Sequence, residues 1–187
     1  MDRTRLILLI VVAAWLVADG APTPSGSAEA VRAVPEDAAA PIVGAAMDAV
    51  AIEQRIERLN PELTPVERER IAAAVLRYSA EYGLDPILVV AVIEVESHGR
   101  PWARSPKGAL GLMQVMPYMM RPMGMAGNPS TIETNIEAGC MILAENIRRL
   151  GEEDGISAYF WGSEIRGVSY LNRVQAARDR VAEEFRS

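Results

Sequence analysis

Apolar positions along the chain recur at helical spacings, and no stretch alternates at the two-residue period of a half-buried strand. The pattern predicts an all-α protein. The first apolar run, Leu6 to Ala18, comes after Arg3 and Arg5 and holds thirteen residues. That is short for a membrane span and typical of the core of a signal peptide. Small residues flank Asp19, so cleavage after Gly20 is expected for residues 1–20, with an uncleaved N-terminal anchor as the alternative. No cysteine lies just beyond the run, which argues against a lipid-modified start. Residues 21–43 are rich in Pro, Ala, Ser, Gly and Glu and read as a flexible linker.

Residues 44–60 carry Ile52, Ile56 and Leu59 at helical spacing, an accessory helix that Asn60-Pro61 interrupts. The remaining residues, 61–187, read as the principal domain. Thr64-Pro65-Val66-Glu67 is a capping box with proline at the first helical position, opening a helix that Gly83 stops after Tyr82. Asp85-Pro86 opens the next one. Its run from Ile87 to Val95 is apolar except for Glu94, so most of its surface is buried. His98-Gly99-Arg100-Pro101 ends it. Further helices are predicted from about Ile136 to Leu150 and from about Val168 to Phe185.

Glu96 lies at the end of this apolar helix and shares a face with Ile93, Val92 and Val89. Burial among branched aliphatics disfavours its charged form, as does the negative end of the helix dipole. A carboxyl group so raised suits a general acid. The helix by itself fits a solvated surface glutamate better, and the motif downstream of it reverses that balance. Glu94 lies about 200° round the helix from Glu96, so the two form no carboxylate pair, and Glu94 reads as structural or partly exposed.

Behind Glu96-Ser97 come Ser105-Pro106-Lys107-Gly108, then Ala109-Leu110-Gly111-Leu112-Met113-Gln114 and Met116-Pro117. Further on stand Asn135-Ile136-Glu137-Ala138-Gly139 and Ala158-Tyr159-Phe160-Trp161-Gly162. Together these motifs resemble the SLT-type soluble lytic transglycosylases, lysozyme-like enzymes that cut the glycan strands of bacterial peptidoglycan. The resemblance implies a lysozyme-like domain in which Glu96 protonates the glycosidic oxygen between N-acetylmuramic acid and N-acetylglucosamine. As a carboxylate, Glu96 then takes the proton of the muramic C6 hydroxyl, which closes onto C1 to give a 1,6-anhydro end. Such an enzyme is a lyase that needs one carboxyl group, where ordinary glycosidases need two.

The resemblance further implies that Tyr159 is catalytic, its hydroxyl pointing at Glu96 or at the reacting sugar. Ser105 and Gln114 would contact the sugar N-acetyl group or the peptide stem, and Met116 would line the cleft. Without the resemblance these are a turn serine, a helix-surface glutamine and a core methionine. Two departures stand out. The family's Ala-Tyr-Asn-x-Gly reads Ala-Tyr-Phe here, so Phe160 removes an amide donor and acceptor; Phe160 and Trp161 are read either as core or as a stacking surface for a sugar ring. Asn128 stands where the family has an aspartate before proline. Downstream, Glu164-Ile165-Arg166-Gly167 and Tyr170-Leu171-x-x-Val174 resemble the closing motif of part of the family, making Glu164 a candidate second acid in the cleft.

Composition adds exclusions. With one histidine, His98, and one cysteine, Cys140, the chain offers no His-based metal site, triad or intrachain disulfide. No metal or other cofactor is expected. The net charge of −6 argues against nucleic acid. The expected partner is the peptidoglycan strand, in the periplasm or another extracytoplasmic space. Two other readings stand beside this one. A lysozyme-type hydrolase would use a second acid such as Glu164. A non-catalytic glycan-binding scaffold in an envelope-spanning secretion or conjugation machine would tolerate Phe160.

Overall fold

The computed structural model describes residues 48–185. The expected signal sequence and linker lie outside them. The described residues form six α-helices: α1 (Ala49–Leu59), α2 (Pro65–Tyr82), α3 (Pro86–Ser97), α4 (Ile132–Leu150), α5 (Glu152–Trp161) and α6 (Ser169–Glu184). A 3-10 turn, Pro117–Met119, interrupts the long connection between α3 and α4. No strand occurs among the described residues; isolated bridges pair Arg104 with Leu110 and Leu110 with Val115.

The local start and stop signals work as their chemistry requires. The Asp48 carboxylate accepts from Ala51 N–H at 2.8 Å and so caps α1. Thr64 and Glu67 close a reciprocal capping box on α2, Thr64 N–H donating to the Glu67 carboxylate at 2.9 Å and Glu67 N–H to Thr64 Oγ1 at 3.3 Å. Gly83 ends α2 at φ +66°, a left-handed geometry that a Cβ would strain. The Asp85 side chain accepts from Ile87 N–H at 2.9 Å at the head of α3. At its tail His98 takes φ +53°, and Arg100 Nε–H donates to the Ser97 carbonyl at 2.8 Å, satisfying one of the terminal acceptors.

Helix α3 is the centre of the molecule. Leu88 through Ile93 are buried on every side, because α6 packs along one flank and α2 along another. The burial of α6 forms a stripe: Tyr170, Leu171, Val174, Ala177 and Val181 face inward. The sequence marks α1 as an accessory element, yet Ile52 and Ile56 are fully buried and it belongs to the same unit as the other helices. Its Arg55 reaches Glu94 of α3 at 2.5 Å, so the expected boundary at residue 60 divides no packing unit.

Two further elements differ from the sequence reading. Helix α4 begins at Ile132, one turn before Ile136, since Ile132 is itself buried and Thr131 takes the extended N-cap conformation. Helix α5 has no counterpart in the apolar pattern. Its Gly155 sits so close to α4 that an added Cβ would fall 2.6 Å from the Ile147 Cα. The glycine is there a point of close helix contact.

Candidate active site

Glu94 and Glu96 occupy the same stretch of α3 and have opposite fates. Glu94 is buried, and burial alone would raise its pKa. Hydrogen bonds from Arg180 at 2.7 Å and Arg55 at 2.5 Å outweigh that, holding it below the ordinary carboxylate range. Arg55 also pairs with Glu184, which Arg58 contacts at 2.6 Å. The reading of Glu94 as structural thus takes a specific form: it is a charge fixed between helices α1, α3 and α6.

Glu96 is half-buried, and desolvation is the largest influence on it, raising its pKa. Two smaller influences oppose the rise: a hydrogen bond from Tyr170 and the positive charge of Arg173. The Tyr170 hydroxyl donates to Glu96 Oε1 at 2.7 Å. Two carboxyls on one helix are thereby driven apart, one held ionised and the other kept inclined to carry a proton. Ser97, beside it, is buried and donates its hydroxyl back to the Ile93 carbonyl at 3.1 Å, which fixes the last turn carrying Glu96.

Tyr159 does not direct its hydroxyl at Glu96. It donates to the Met113 carbonyl at 2.8 Å. Burial, then the Glu96 charge, raises its pKa well above the usual range, so the ring lies within electrostatic reach of the acid. The tyrosine in hydrogen-bond contact is Tyr170, which lies in the closing motif and to which the motif by itself assigns no role. A tyrosine on the buried stripe of α6 is the signal that could have found it.

The glycine-rich segment forms a tight loop. Gly108 and Gly111 take φ +91° and +75°, and Gln114 takes φ +49° without being glycine. Leu110 and Val115 exchange backbone hydrogen bonds at 3.0 and 2.9 Å. Ser105 Oγ accepts from Ala109 N–H at 3.0 Å, closing the approach to the loop. Gln114 Nε2 donates to the carbonyls of Gly111 at 2.9 Å and Ala103 at 3.3 Å. Its amide nitrogen is therefore committed to the loop, and no donor among the described residues reaches its Oε1. Met116 is half-buried at the head of the 3-10 turn.

Asn135 of α4 locks this loop in place. Its Oδ1 accepts from Met113 N–H at 2.7 Å, while Nδ2 donates to the carbonyls of Leu110 and Pro129, each at 2.7 Å. A Cβ on Gly111 would sit 2.5 Å from Asn135 Nδ2, and one on Gly139 would sit 2.4 Å from Met113 Sδ. The Asn-Ile-x-Ala-Gly motif and the glycine loop are thus two halves of one contact.

Glu164 lies exposed in the connection between α5 and α6, paired with Arg166 at 2.8 Å. No contact joins it to Glu96 among the described residues. A cavity of about 220 Å³ on the α3–α6 seam is lined by Glu94, Val95, His98, Arg173, Ala176 and Arg180. It opens on the Glu94 side of α3, and Glu96 does not line it. Cys140 is fully buried, and burial pushes its thiol up to about 12, which leaves it a small hydrophobe. No group of three or more His, Cys, Asp or Glu side chains is placed to hold a metal ion among the described residues.

These features define a helical lysozyme-like domain in which Glu96 is a desolvated carboxyl held by the Tyr170 hydroxyl. Residues 73–177 match the transglycosylase SLT domain, and the chain belongs to that family. It is 41% identical over 96 residues to the transglycosylase of Enterobacteria phage PRD1, covering 51% of this chain and 34% of the phage protein. It is 38% identical to the endo-type membrane-bound lytic murein transglycosylase A of Klebsiella pneumoniae, covering 46% of this chain and 47% of that one. The chain therefore spans a third to a half of the length of these curated relatives. A partial structural overlay, TM-score 0.42 at 23% identity, exists with an inactive mutant of the lytic transglycosylase Slt from Pseudomonas aeruginosa; it covers 60% of this chain and 22% of that one.

Proposed function

We propose that this chain is a peptidoglycan lytic transglycosylase in which Glu96 acts alone, first as acid and then as base. The observation that carries the reading is the divergence of Glu94 and Glu96: one carboxyl is locked between arginines, and the other is desolvated and held by a single phenol. The names of the phage and Klebsiella relatives, transglycosylase and lytic murein transglycosylase, support the same reaction class.

In the first step Glu96 donates its proton to the bridging oxygen between muramic acid and glucosamine as the C1–O bond breaks. Charge builds on the carboxylate at that moment, and the Tyr170 hydroxyl is placed to stabilise it. In the second step the carboxylate takes the proton from the muramic C6 hydroxyl, and that oxygen bonds to C1. Glu96 ends protonated as it began, and no water is consumed. Gln114 Oε1 and Met116 are the loop groups offered to the sugar, with Ser105 holding the loop entrance. Tyr159 supports the loop from beneath through Met113. An extracytoplasmic location belongs to this proposal, because the substrate lies there.

Mass spectrometry of muropeptides released from purified peptidoglycan by the chain from residue 21 onward tests the reading. Products one water lighter than the hydrolysed species are expected, falling at least about 100-fold with Glu96→Gln. Reducing-end products would make the protein a hydrolase instead. Binding without release, with the fold intact, would make it a scaffold.

A further inference from the structure

Phe160 occupies the position where the family motif has asparagine, and its surroundings give it a role. Its ring stacks on Tyr170 with centroids 5.1 Å apart and planes 15° from parallel. Trp161 meets it edge-on at 4.9 Å. The Arg173 guanidinium lies over both stacked rings, 5.5 Å from the Tyr170 centroid and 5.9 Å from that of Phe160. Tyr170 in turn donates to Glu96. The order is thus Phe160 from α5, Tyr170 and Arg173 from α6, then Glu96 from α3.

We infer that Phe160 is a positioning residue: it acts on Glu96 through Tyr170, by fixing the plane from which the phenol reaches the carboxyl. A tyrosine has two torsions between its backbone and its ring, and an aromatic stack restrains the second one directly. At 51% exposure Phe160 is not simply a core residue, since half of its surface stays in water while one face covers Tyr170. Arg173, whose charge also bears on Glu96, lies nearer to Tyr170 than to Phe160 and keeps the aromatic ring at position 170 when Phe160 is lost. An asparagine could support neither stack. The replacement therefore substitutes one form of support for another and does not merely delete it. This inference rests on Glu96 as the acid.

The test is a double-mutant cycle between Phe160→Ala and Tyr170→Phe, read in two ways. Kinetically, Phe160→Ala should lower kcat about tenfold with KM nearly unchanged, and its effect should fall below about twofold when Tyr170 has already lost its hydroxyl. Phe160→Tyr, which keeps the ring, should restore the rate; Phe160→Leu, which keeps bulk without the stack, should not. Spectroscopically, the carboxyl carbon of Glu96, labelled with carbon-13 and assigned with Glu96→Gln, should change its titration midpoint in Phe160→Ala but not when the change is made on Tyr170→Phe. Groups that bear on this titration are Tyr170 and Arg173 of α6, with Tyr159 of α5 coupled to the same charge; Glu94 and its partners Arg55 and Arg180 lie on the other side of α3.

Additive effects would overturn the inference, as would a rise in KM with kcat preserved, which would make Phe160 a platform for the sugar. If the wild type released no anhydro product, the proposed reaction would fall. The carboxyl titration would still decide whether Phe160 acts through Tyr170. Melting curves of each variant separate these outcomes from loss of fold.

Discussion

Asn135→Ala is the perturbation that best tests how the loop is held. The side chain makes three hydrogen bonds, each at 2.7 Å. Their removal does not have equal consequences. The Leu110 carbonyl also accepts from Val115 N–H at 2.9 Å and would keep that partner. Met113 N–H and the Pro129 carbonyl would lose theirs in a buried setting, at about 1–3 kcal/mol each. Allowing for some entry of water, the expected loss is about 3 kcal/mol, corresponding to a fall in Tm of about 10 °C for a domain of this size. Urea denaturation monitored by tryptophan fluorescence would measure it, and hydrogen exchange at the Met113 amide would locate it. Asn135→Asp should be at least as damaging, because a carboxylate accepts from Met113 but cannot donate to two carbonyls. A loss below about 1 kcal/mol with unchanged Met113 exchange would refute the claim that Asn135 holds the loop.

The two glutamates give three more expectations. Glu96→Gln should melt higher than the wild type at neutral pH. The folded pKa of Glu96 is raised, so its ionisation costs stability as pH rises above the ordinary carboxylate range, and the difference should close on acidification; equal melting across that range would contradict it. Tyr170→Phe removes a donor that stabilises the ionised form, so Glu96 should hold its proton to higher pH. The alkaline limb of kcat/KM should move upward while the maximal rate falls about tenfold; an unmoved limb would remove Tyr170 from the acid's environment. Arg55→Ala should cost about 3 kcal/mol near neutrality in urea denaturation, because Glu94 would keep Arg180 alone of its two arginine partners. The depressed Glu94 pKa contributes stability above its unfolded value that is lost as pH falls through its folded value, so the gap between variant and wild type should narrow in acid.

The parts of this molecule that could be read from the sequence are those decided within a few residues. Asp85-Pro86 and Thr64-Pro65-Val66-Glu67 announce helix starts because cap and capped group are three or fewer positions apart. The burial of α3 could be read from its apolar run, but that of Glu96 at its end could not, and needed the motif downstream. Pairings across the chain are what the sequence could not show. Tyr170 and Glu96 are separated by 74 positions, and Arg55 and Glu94 by 39. The first pairing puts Tyr170 where Tyr159 is expected as the donor to Glu96, and the second makes the accessory helix part of the core. The role of Gly155 is also set outside its own helix. Its meaning depends on the Ile147 backbone opposite it, and propensity treats glycine as if nothing were opposite.

Helix α6 reaches α3 at three points: Tyr170 at Glu96, Arg180 at Glu94, and Arg178 at Asp85, the last at 2.8 Å. It is the last of the six helices to leave the ribosome. Until it docks, the nascent chain carries Glu96 without its phenol and Glu94 without one of its two arginines, and the Leu88–Ile93 core is open along one flank. The acid therefore acquires its working environment in the same event that seals the fold. Under the proposed reaction, a protein built in this order holds no competent site until α6 has docked.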